Sequence, residues 1–195
     1  TIGVAALTAF NSFAERIEQA MAERSGELLG GDLRVTSQRN LQPFVDSLPE
    51  HLQPDATVLE MPSMAAAQDR LQLVEVKVVG GSYPLIGELT IRDQGVQGQP
   101  PSGSVWVEAA LLAQLDIAVG ETIELGYASL RLAGVIEHEP DRVAGAFSVG
   151  PRVILSANDL QATGLVQQGS RFRTRLLYKR PADEVFALQT ELDQL

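Results

Sequence analysis

The densest group of chemically reactive side chains in the sequence is an acidic run around one of its two histidines. Glu137, His138 and Glu139 are consecutive, and Asp141 follows two residues later. Successive side chains of a strand point to opposite faces, so Glu137 and Glu139 would lie together and His138 would oppose them. That arrangement suits a shared metal ion poorly. We therefore expect a solvated strand end here rather than a metal site.

Recognisable catalytic and cofactor motifs are missing from the sequence. It has no Gly-x-Ser-x-Gly, no Gly-x-Gly-x-x-Gly, no phosphate loop ending in Gly-Lys-Ser/Thr and no His-Glu-x-x-His. It has no cysteine, which excludes disulfides, thiolate catalysis and cysteine-ligated zinc. The two histidines, His51 and His138, cannot form a zinc site alone. The sequence therefore predicts no catalytic residue, no cofactor and no bound metal, and a protein that is not an enzyme.

A basic stripe stands out against the overall acidity. Arg171, Arg173 and Arg175 alternate with Phe172 and Thr174, as on a half-buried strand. Two interpretations are open. The stripe contacts an anionic partner, or it pairs with nearby carboxylates of the same chain; the second is favoured because the chain is so acidic.

The charge balance argues against one whole class of partner. There are 15 Lys and Arg residues against 25 Asp and Glu, a formal net charge of -10. Such a chain repels phosphate backbones, so we expect no nucleic-acid partner. Hydrophobic residues make up 45% of the chain, which is enough for a globular core.

Both ends of the chain show helical periodicity. The apolar stripes have spacings of three and four residues and comprise Phe10, Phe13, Ile17 and Met21 at one end and Val185, Leu188, Leu192 and Leu195 at the other. Residues 1–10 carry no charged side chain. We expect both helices to continue into membrane spans and to lie close together. The alternative is an ordinary amphipathic helix at the start and a fraying helix at the end.

Between these ends, strand patterns and short helix patterns are mixed. Strands are expected near residues 32–38, 57–61, 71–79, 85–91, 105–107, 153–155 and 170–178, with a hairpin over 121–137. Short helices are expected over 41–52, 108–115 and 157–162. Residues 65–73 are ambiguous, and residues 94–104 and 140–150 are expected to be loops. This mixture favours an α+β fold over a doubly wound sheet.

Four segments, in order along the chain, carry a family resemblance. They are residues 27–38 (ELLGGDLRVTSQ), 113–125 (AQLDIAVGETIEL), 130–137 (LRLAGVIE) and 151–160 (PRVILSANDL). Together they resemble the extracytoplasmic domain of MacB/FtsX-type ABC-transporter permeases. Within that group the chain looks closest to the long permeases associated with a periplasmic lysophospholipase or thioesterase.

The resemblance implies a fold of two lobes and a place in the cell. A porter-like α/β lobe would comprise residues 1–70 and 144–195, with a small β-rich lobe, residues 71–143, inserted between them. The domain would lie in the periplasm, attached to a bacterial inner-membrane protein. It would relay ATP-driven motion of its own transmembrane helices, powered by a cytoplasmic ATPase subunit, to a lipid-like or hydrophobic cargo or to a periplasmic hydrolase or adaptor. The alternative is a freestanding extracytoplasmic ligand-binding or sensor domain.

One connection is a candidate contact surface for cargo or a partner. Tyr83, Pro84, Leu85 and Ile86 are consecutive between glycines that join two predicted strands. Loops lie on the surface and host contacts, and exposed apolar patches often mark interaction sites. The alternative is that Leu85 or Ile86 packs into the small lobe and Tyr83 covers it.

Overall fold

A computed structural model describes residues 31–39, 41–142, 149–167 and 169–194, which fold around one mixed ten-stranded sheet. The strands are β1 (Leu33–Ser37), β2 (Ala56–Ala67), β3 (Arg70–Gly81), β4 (Leu89–Ile91), β5 (Gly95–Gln97), β6 (Ser104–Glu108), β7 (Thr122–Leu125), β8 (Ala128–His138), β9 (Arg152–Ser156) and β10 (Arg173–Tyr178). The α-helices are α1 (Gln42–Ser47), α2 (Ala109–Leu115), α3 (Leu160–Thr163) and α4 (Ala182–Leu192), with 3-10 turns at Glu50–Leu52 and Ala157–Asp159.

The strands follow the order β1-β10-β2-β3-β9-β6-β8-β4-β5, and β7 pairs with both β2 and β8. The β3–β9 and β6–β8 pairs are parallel, and the remaining pairs are antiparallel. The α+β class expected from the sequence is therefore confirmed.

The longest element of the sheet is the β2–β3 hairpin. Its two strands have 12 residues each and stay in register from Ala56 opposite Gly81 to Ala67 opposite Arg70. The residues that the sequence left ambiguous, 65–73, form the tip of this hairpin. Gln68 makes the tight turn with a left-handed φ of 53°. Because Val, Leu and Met alternate along both strands, the hairpin presents a continuous apolar face to the core.

Three apolar clusters cover the sheet. The first contains Val76 and Val78 of β3 and packs against Leu111 and Leu115 of α2. The second lies on the opposite face and contains Val79 of β3. The third joins β1 and β10 to the helices α1 and α4. The sheet is thus buried on both faces over much of its area, which explains how the polar side chains described below come to be inside.

Several local predictions are confirmed. The strand at 105–107, the helix that follows it and the hairpin over 121–137 are present as β6, α2 and β7–β8. Ser156 caps its helical turn by accepting a hydrogen bond from the Asn158 N–H. The C-terminal helix is present as α4, whereas the predicted N-terminal helix lies outside the described residues.

Other elements differ from the expectation. The strand predicted over 85–91 is confined to Leu89–Ile91, and the predicted loop at 94–104 contains the short strand β5. Strands from both predicted lobes share one sheet, since β9 of the 144–195 part lies between β3 and β6 of the 71–143 part. The division into two lobes stays a prediction.

Candidate functional site: a buried charge network

A fully buried lysine lies at the centre of the sheet. Lys77 has an exposed fraction of 0%, although it belongs to an otherwise apolar stretch of β3. The register places Glu60 of β2 directly across from it, and on β9 Arg152 is paired with Glu75 of β3. Directly paired residues share a face of the sheet, so strand pairing alone gathers these charges on the face that carries the second apolar cluster.

The segment after β8 supplies the counter-ions of this lysine. The Lys77 Nζ lies 2.7 Å from Glu139 Oε1 and 2.5 Å from Asp141 Oδ1, and it donates to the Tyr83 hydroxyl at 2.6 Å. That hydroxyl in turn donates to Asp141 Oδ1 at 2.6 Å. An ammonium group has three donors, so all of them have acceptors here. The segment that carries Glu139 and Asp141 is thereby attached to the middle of the sheet.

Two arginines extend the network across the neighbouring strands. Arg152 Nε donates to Glu139 Oε2 at 3.1 Å. Arg175 of β10 lies 2.6 Å from Glu60 Oε1 through Nη2 and 3.3 Å from Asp141 Oδ2 through Nη1. The network therefore joins β2, β3, β9, β10 and the segment after β8. Three cations face four carboxylates, namely Lys77, Arg152 and Arg175 against Glu60, Glu75, Glu139 and Asp141.

The ionisation states follow from this packing. Burial alone would raise the pKa of Asp141, but the Lys77 ammonium and the Arg175 guanidinium outweigh it and lower that pKa to about 2. Burial, reinforced by the negative charge of Asp141, raises the pKa of the Tyr83 hydroxyl, which stays protonated. Burial would lower the pKa of Arg152, yet the adjacent Glu139 and Glu75 carboxylates raise it. Asp141 and Arg152 are therefore charged within the network, and Tyr83 stays a hydrogen-bond donor.

Not every polar atom of the network has an aligned partner within the part of the chain that the structure describes. Asp141 Oδ2, Arg152 Nη1 and Arg175 Nε make no hydrogen bond there. The first two still lie within ion-pair distance of opposite charges, 3.3 Å from Arg175 and 3.4 Å from Glu75. Coulomb attraction tolerates misalignment that weakens a hydrogen bond, so these atoms still contribute to the network. Such a network specifies how strands are arranged more than it adds stability.

A second polar cluster joins the two places where the chain enters and leaves the described sheet. The Asp32 N–H donates to the Tyr178 carbonyl at 2.9 Å, and the Arg180 N–H donates to Asp32 Oδ2 at 2.9 Å. Asp55 accepts from the Lys179 N–H at 2.8 Å and from Arg180 Nη1 at 2.5 Å. We call Asp32, Asp55 and Arg180 the terminal clamp. It holds the start of β1 beside the end of β10, from which α4 follows.

The sequence misplaced part of the charge network. The expectation of a solvated strand end is wrong for Glu139 and Asp141, which are 6% and 8% exposed, and right for Glu137 and His138, which are exposed. The error arises because burial of these two carboxylates depends on tertiary structure: the cations that pair with them lie on other strands of the sheet. Pairing of the basic stripe with carboxylates is confirmed for Arg175. A signal was available in Lys77, a single cation within a run of valines.

The structure places the predicted contact residues at different depths. Tyr83 is 3% exposed and belongs to the second apolar cluster, so it covers core and serves the network. Pro84, Leu85 and Ile86 are half-buried, and Leu85 packs against the same cluster. Contact of this segment with cargo or a partner stays a prediction, carried by the three residues after Tyr83.

The described residues lack both a metal-binding cluster and a membrane-spanning helix. No group of three His, Cys, Asp or Glu side chains is placed there to hold a metal ion. Within the same residues, no helix has the length and apolar character that crossing a bilayer requires.

Comparisons with known proteins identify the family. The model of the MacB-like periplasmic core domain matches residues 1–195. The ABC transporter permease YbbP of Escherichia coli (strain K12) is 32% identical over 176 residues, which is 90% of this chain and 22% of that protein. The chain thus spans about a fifth of this relative's length.

Solved structures with similar folds have low sequence identity. The extracellular domain of the noncanonic ABC-type transporter YknZ from Gram-positive bacteria matches with a TM-score of 0.49 and 10% identity, over 78% of each chain. The periplasmic region of MacB from Actinobacillus actinomycetemcomitans matches with a TM-score of 0.44 and 13% identity, over 71% of this chain and 65% of that one. On the full-length family match, the chain belongs to the MacB-like periplasmic core domain family, the periplasmic domains of ABC-type transporter permeases.

Proposed function

We propose that this domain relays motion of the membrane helices attached to its two ends, within an inner-membrane permease driven by a cytoplasmic ATPase. The observation that carries the proposal is the terminal clamp. Asp32 holds the end of β10 beside the start of β1, and Asp55 holds the same end beside the start of β2, so a displacement at the start of β1 or the end of β10 is shared between them and passed to the hairpin.

The β2–β3 hairpin supports the relay because it extends from the clamp to the far side of the sheet. Asp55 directly precedes β2, and the hairpin tip lies 12 residues further on. At about 3.3 Å per residue the hairpin spans roughly 40 Å. Its 12 paired positions and the buried charge network make it stiff. A small displacement at the clamp would therefore reappear at the tip.

The cargo and the outer partner are the less constrained parts of the proposal. We propose a lipid-like or hydrophobic cargo and a periplasmic hydrolase or adaptor as partner, as the resemblance to permeases associated with a lysophospholipase or thioesterase implies. The half-buried segment Pro84–Ile86 is the proposed contact. Its apolar side chains beside exposed glycines suit a protein surface better than bulk water.

The relay is tested in the full permease with its ATPase, reconstituted in nanodiscs. A spin label at Leu71→Cys, which is 70% exposed near the hairpin tip, reports distances to gadolinium-labelled lipid headgroups. We expect the distance distribution to shift between the nucleotide-free and the ATP–vanadate states. Asp55→Ala should reduce that shift, because it breaks the terminal clamp. Asp69→Ala, which removes the same charge at the exposed hairpin turn, is the matched control and should keep it.

The proposal fails on a specific result. If ATP is hydrolysed at the normal rate and the Leu71 label does not move relative to the membrane in any variant, the domain does not relay the motion. A shift that is equally large in Asp55→Ala would remove the clamp from the mechanism.

A further inference from the structure

An open cleft with a volume of about 690 Å³ lies beside the buried charge network. Glu60 and Glu75 of the network line it, together with Arg171 and Arg173 of the basic stripe. The remaining wall includes the exposed apolar residues Pro62 and Val149, with Met61 and Phe172 of the first apolar cluster at its border. A concave site of this size, with a few polar groups on an apolar wall, is of the kind that takes a small ligand.

The charges of the cleft are not equally available. Glu60 Oε1 lies 2.6 Å from Arg175 Nη2, and Glu75 Oε2 lies 3.4 Å from Arg152 Nη1, so both carboxylates already have counter-ions. Arg171 and Arg173 are exposed and have no ion-pair partner within the described part of the chain. Two available guanidinium groups at one cleft are unusual in a chain with a net charge of -10.

The arginines of the cleft also act on a neighbouring residue. The pKa of Arg34 on β1 is lowered, first by burial and then by the positive charges of Arg175 and Arg173, whereas Asp141 and Glu60 act in the opposite direction. Arg173 is therefore close enough to other charged groups of this strand face to interact with them, although none of them is its ion-pair partner within the described residues.

We propose that this cleft binds an anionic amphiphile, with its phosphate or carboxylate head on Arg171 and Arg173 and its chain against the exposed apolar side chains of Pro62 and Val149. A planar guanidinium group can donate two parallel hydrogen bonds to two oxygens of a carboxylate or a phosphate. The apolar wall distinguishes an amphiphile from a bare oxyanion, and the concave shape favours a small molecule over a flat acidic protein surface. The inference rests on the proposed function in one respect, the lipid-like nature of the cargo.

The test is titration calorimetry of the purified chain with decyl phosphate below its micelle concentration. Decanol and inorganic phosphate are titrated separately, so that the head and the chain are each supplied alone. We expect decyl phosphate to bind at least tenfold more tightly than either. Arg171→Ser with Arg173→Ser should weaken it at least tenfold. The matched control is Arg92→Ser with Arg131→Ser, which removes the same charge from two exposed arginines outside the cleft and should bind as wild type.

Three outcomes would overturn the inference. Equal affinity for decyl phosphate and decanol would mean that the arginines do not bind the phosphate head. Equal affinity for inorganic phosphate would mean a simple oxyanion site. If the wild-type chain binds no decyl phosphate but captures an acidic protein, and the variant with Arg171→Ser and Arg173→Ser does not capture it, the stripe would be assigned to a protein partner. The titration uses no nucleotide and no membrane, so its failure leaves the relay proposal standing and can be told from failure of the relay.

Discussion

The centre of β3 is buried on both faces, but the two faces are held by different chemistry. On one face, Val74, Val76 and Val78 pack into the first apolar cluster. On the other, Lys77 is surrounded by the hydroxyl and the carboxylates described above. The apolar face gains stability from burial and has many interchangeable solutions. The charged face has one geometry in which every charge has a partner, so it specifies which strands lie together.

This difference matters for a domain that is proposed to transmit motion. An apolar interface tolerates sliding, because its contacts are non-directional. A charge network resists sliding, because a displacement would leave buried charges without partners. Strands β2, β3, β9 and β10 should therefore move as one body, and bending should occur elsewhere.

Replacing the central lysine should have the largest effect on stability. Lys77→Met keeps most of the volume but leaves Glu139 and Asp141 as buried carboxylates without their ammonium. Removing one partner of a buried ion pair costs about 3–5 kcal/mol of unfolding free energy. Urea denaturation of the purified chain measures it. The matched control is Lys77→Met combined with Glu139→Gln and Asp141→Asn. It also removes the two carboxylate charges that the single variant leaves without the ammonium, so it should recover part of the stability. A change below about 1 kcal/mol in the single variant would contradict the network.

The same contrast explains what could be predicted from the sequence. Alternation and glycine breaks located β6, α2 and the β7–β8 hairpin, because those signals are local. The pairing of β9 between β3 and β6 has no local signal, and it is this pairing that brings Arg152 beside Glu139. The basic stripe was visible, but the burial of Arg175 alone among its arginines depends on the tertiary contacts with Glu60 and Asp141, which have no local signal.

Acid should weaken the charged face selectively. The pKa of Asp141 is about 2 in the folded chain, below the ordinary value of 3.8. Because the folded value is the lower one, this stabilisation is complete above about pH 4 and is lost as the pH falls from about 4 towards 2. The difference corresponds to roughly 2.5 kcal/mol. Urea denaturation between pH 2 and pH 6 should show it, and Asp141→Asn should flatten the slope. Asp69→Asn, at an exposed aspartate, should keep the wild-type slope; an unchanged slope in Asp141→Asn would assign the acid sensitivity to other groups.

Truncation on the opposite face should act without any dependence on acid. Val76 is fully buried in the first cluster, and Val76→Ala removes two methyl groups and leaves a cavity. We expect a loss of about 2 kcal/mol of unfolding free energy. The measurement is the same urea denaturation over the same pH range. The curve should be displaced in parallel with that of wild type, whereas a change of slope would show that the two faces are electrostatically coupled through the strand.

Tyr83 belongs to both kinds of interface, and removing its hydroxyl should have the smallest effect. The ring packs in the second apolar cluster, and its centroid lies 4.6 Å from Lys77 Nζ. Tyr83→Phe preserves these contacts but removes the hydroxyl that accepts from Lys77 and donates to Asp141. Since Lys77 keeps two carboxylate partners, we expect a loss of only about 1 kcal/mol by urea denaturation. Asp141 also loses a stabilising donor, so its pKa should rise towards the ordinary value and the acid transition should begin at higher pH.

Tyr178→Phe, which removes a buried hydroxyl bonded to the Leu52 carbonyl at 3.1 Å, is the matched control. It should lower the unfolding free energy by a similar amount without shifting the pH of the acid transition. If both variants shifted that pH equally, the hydroxyl of Tyr83 would have no specific part in the charge network.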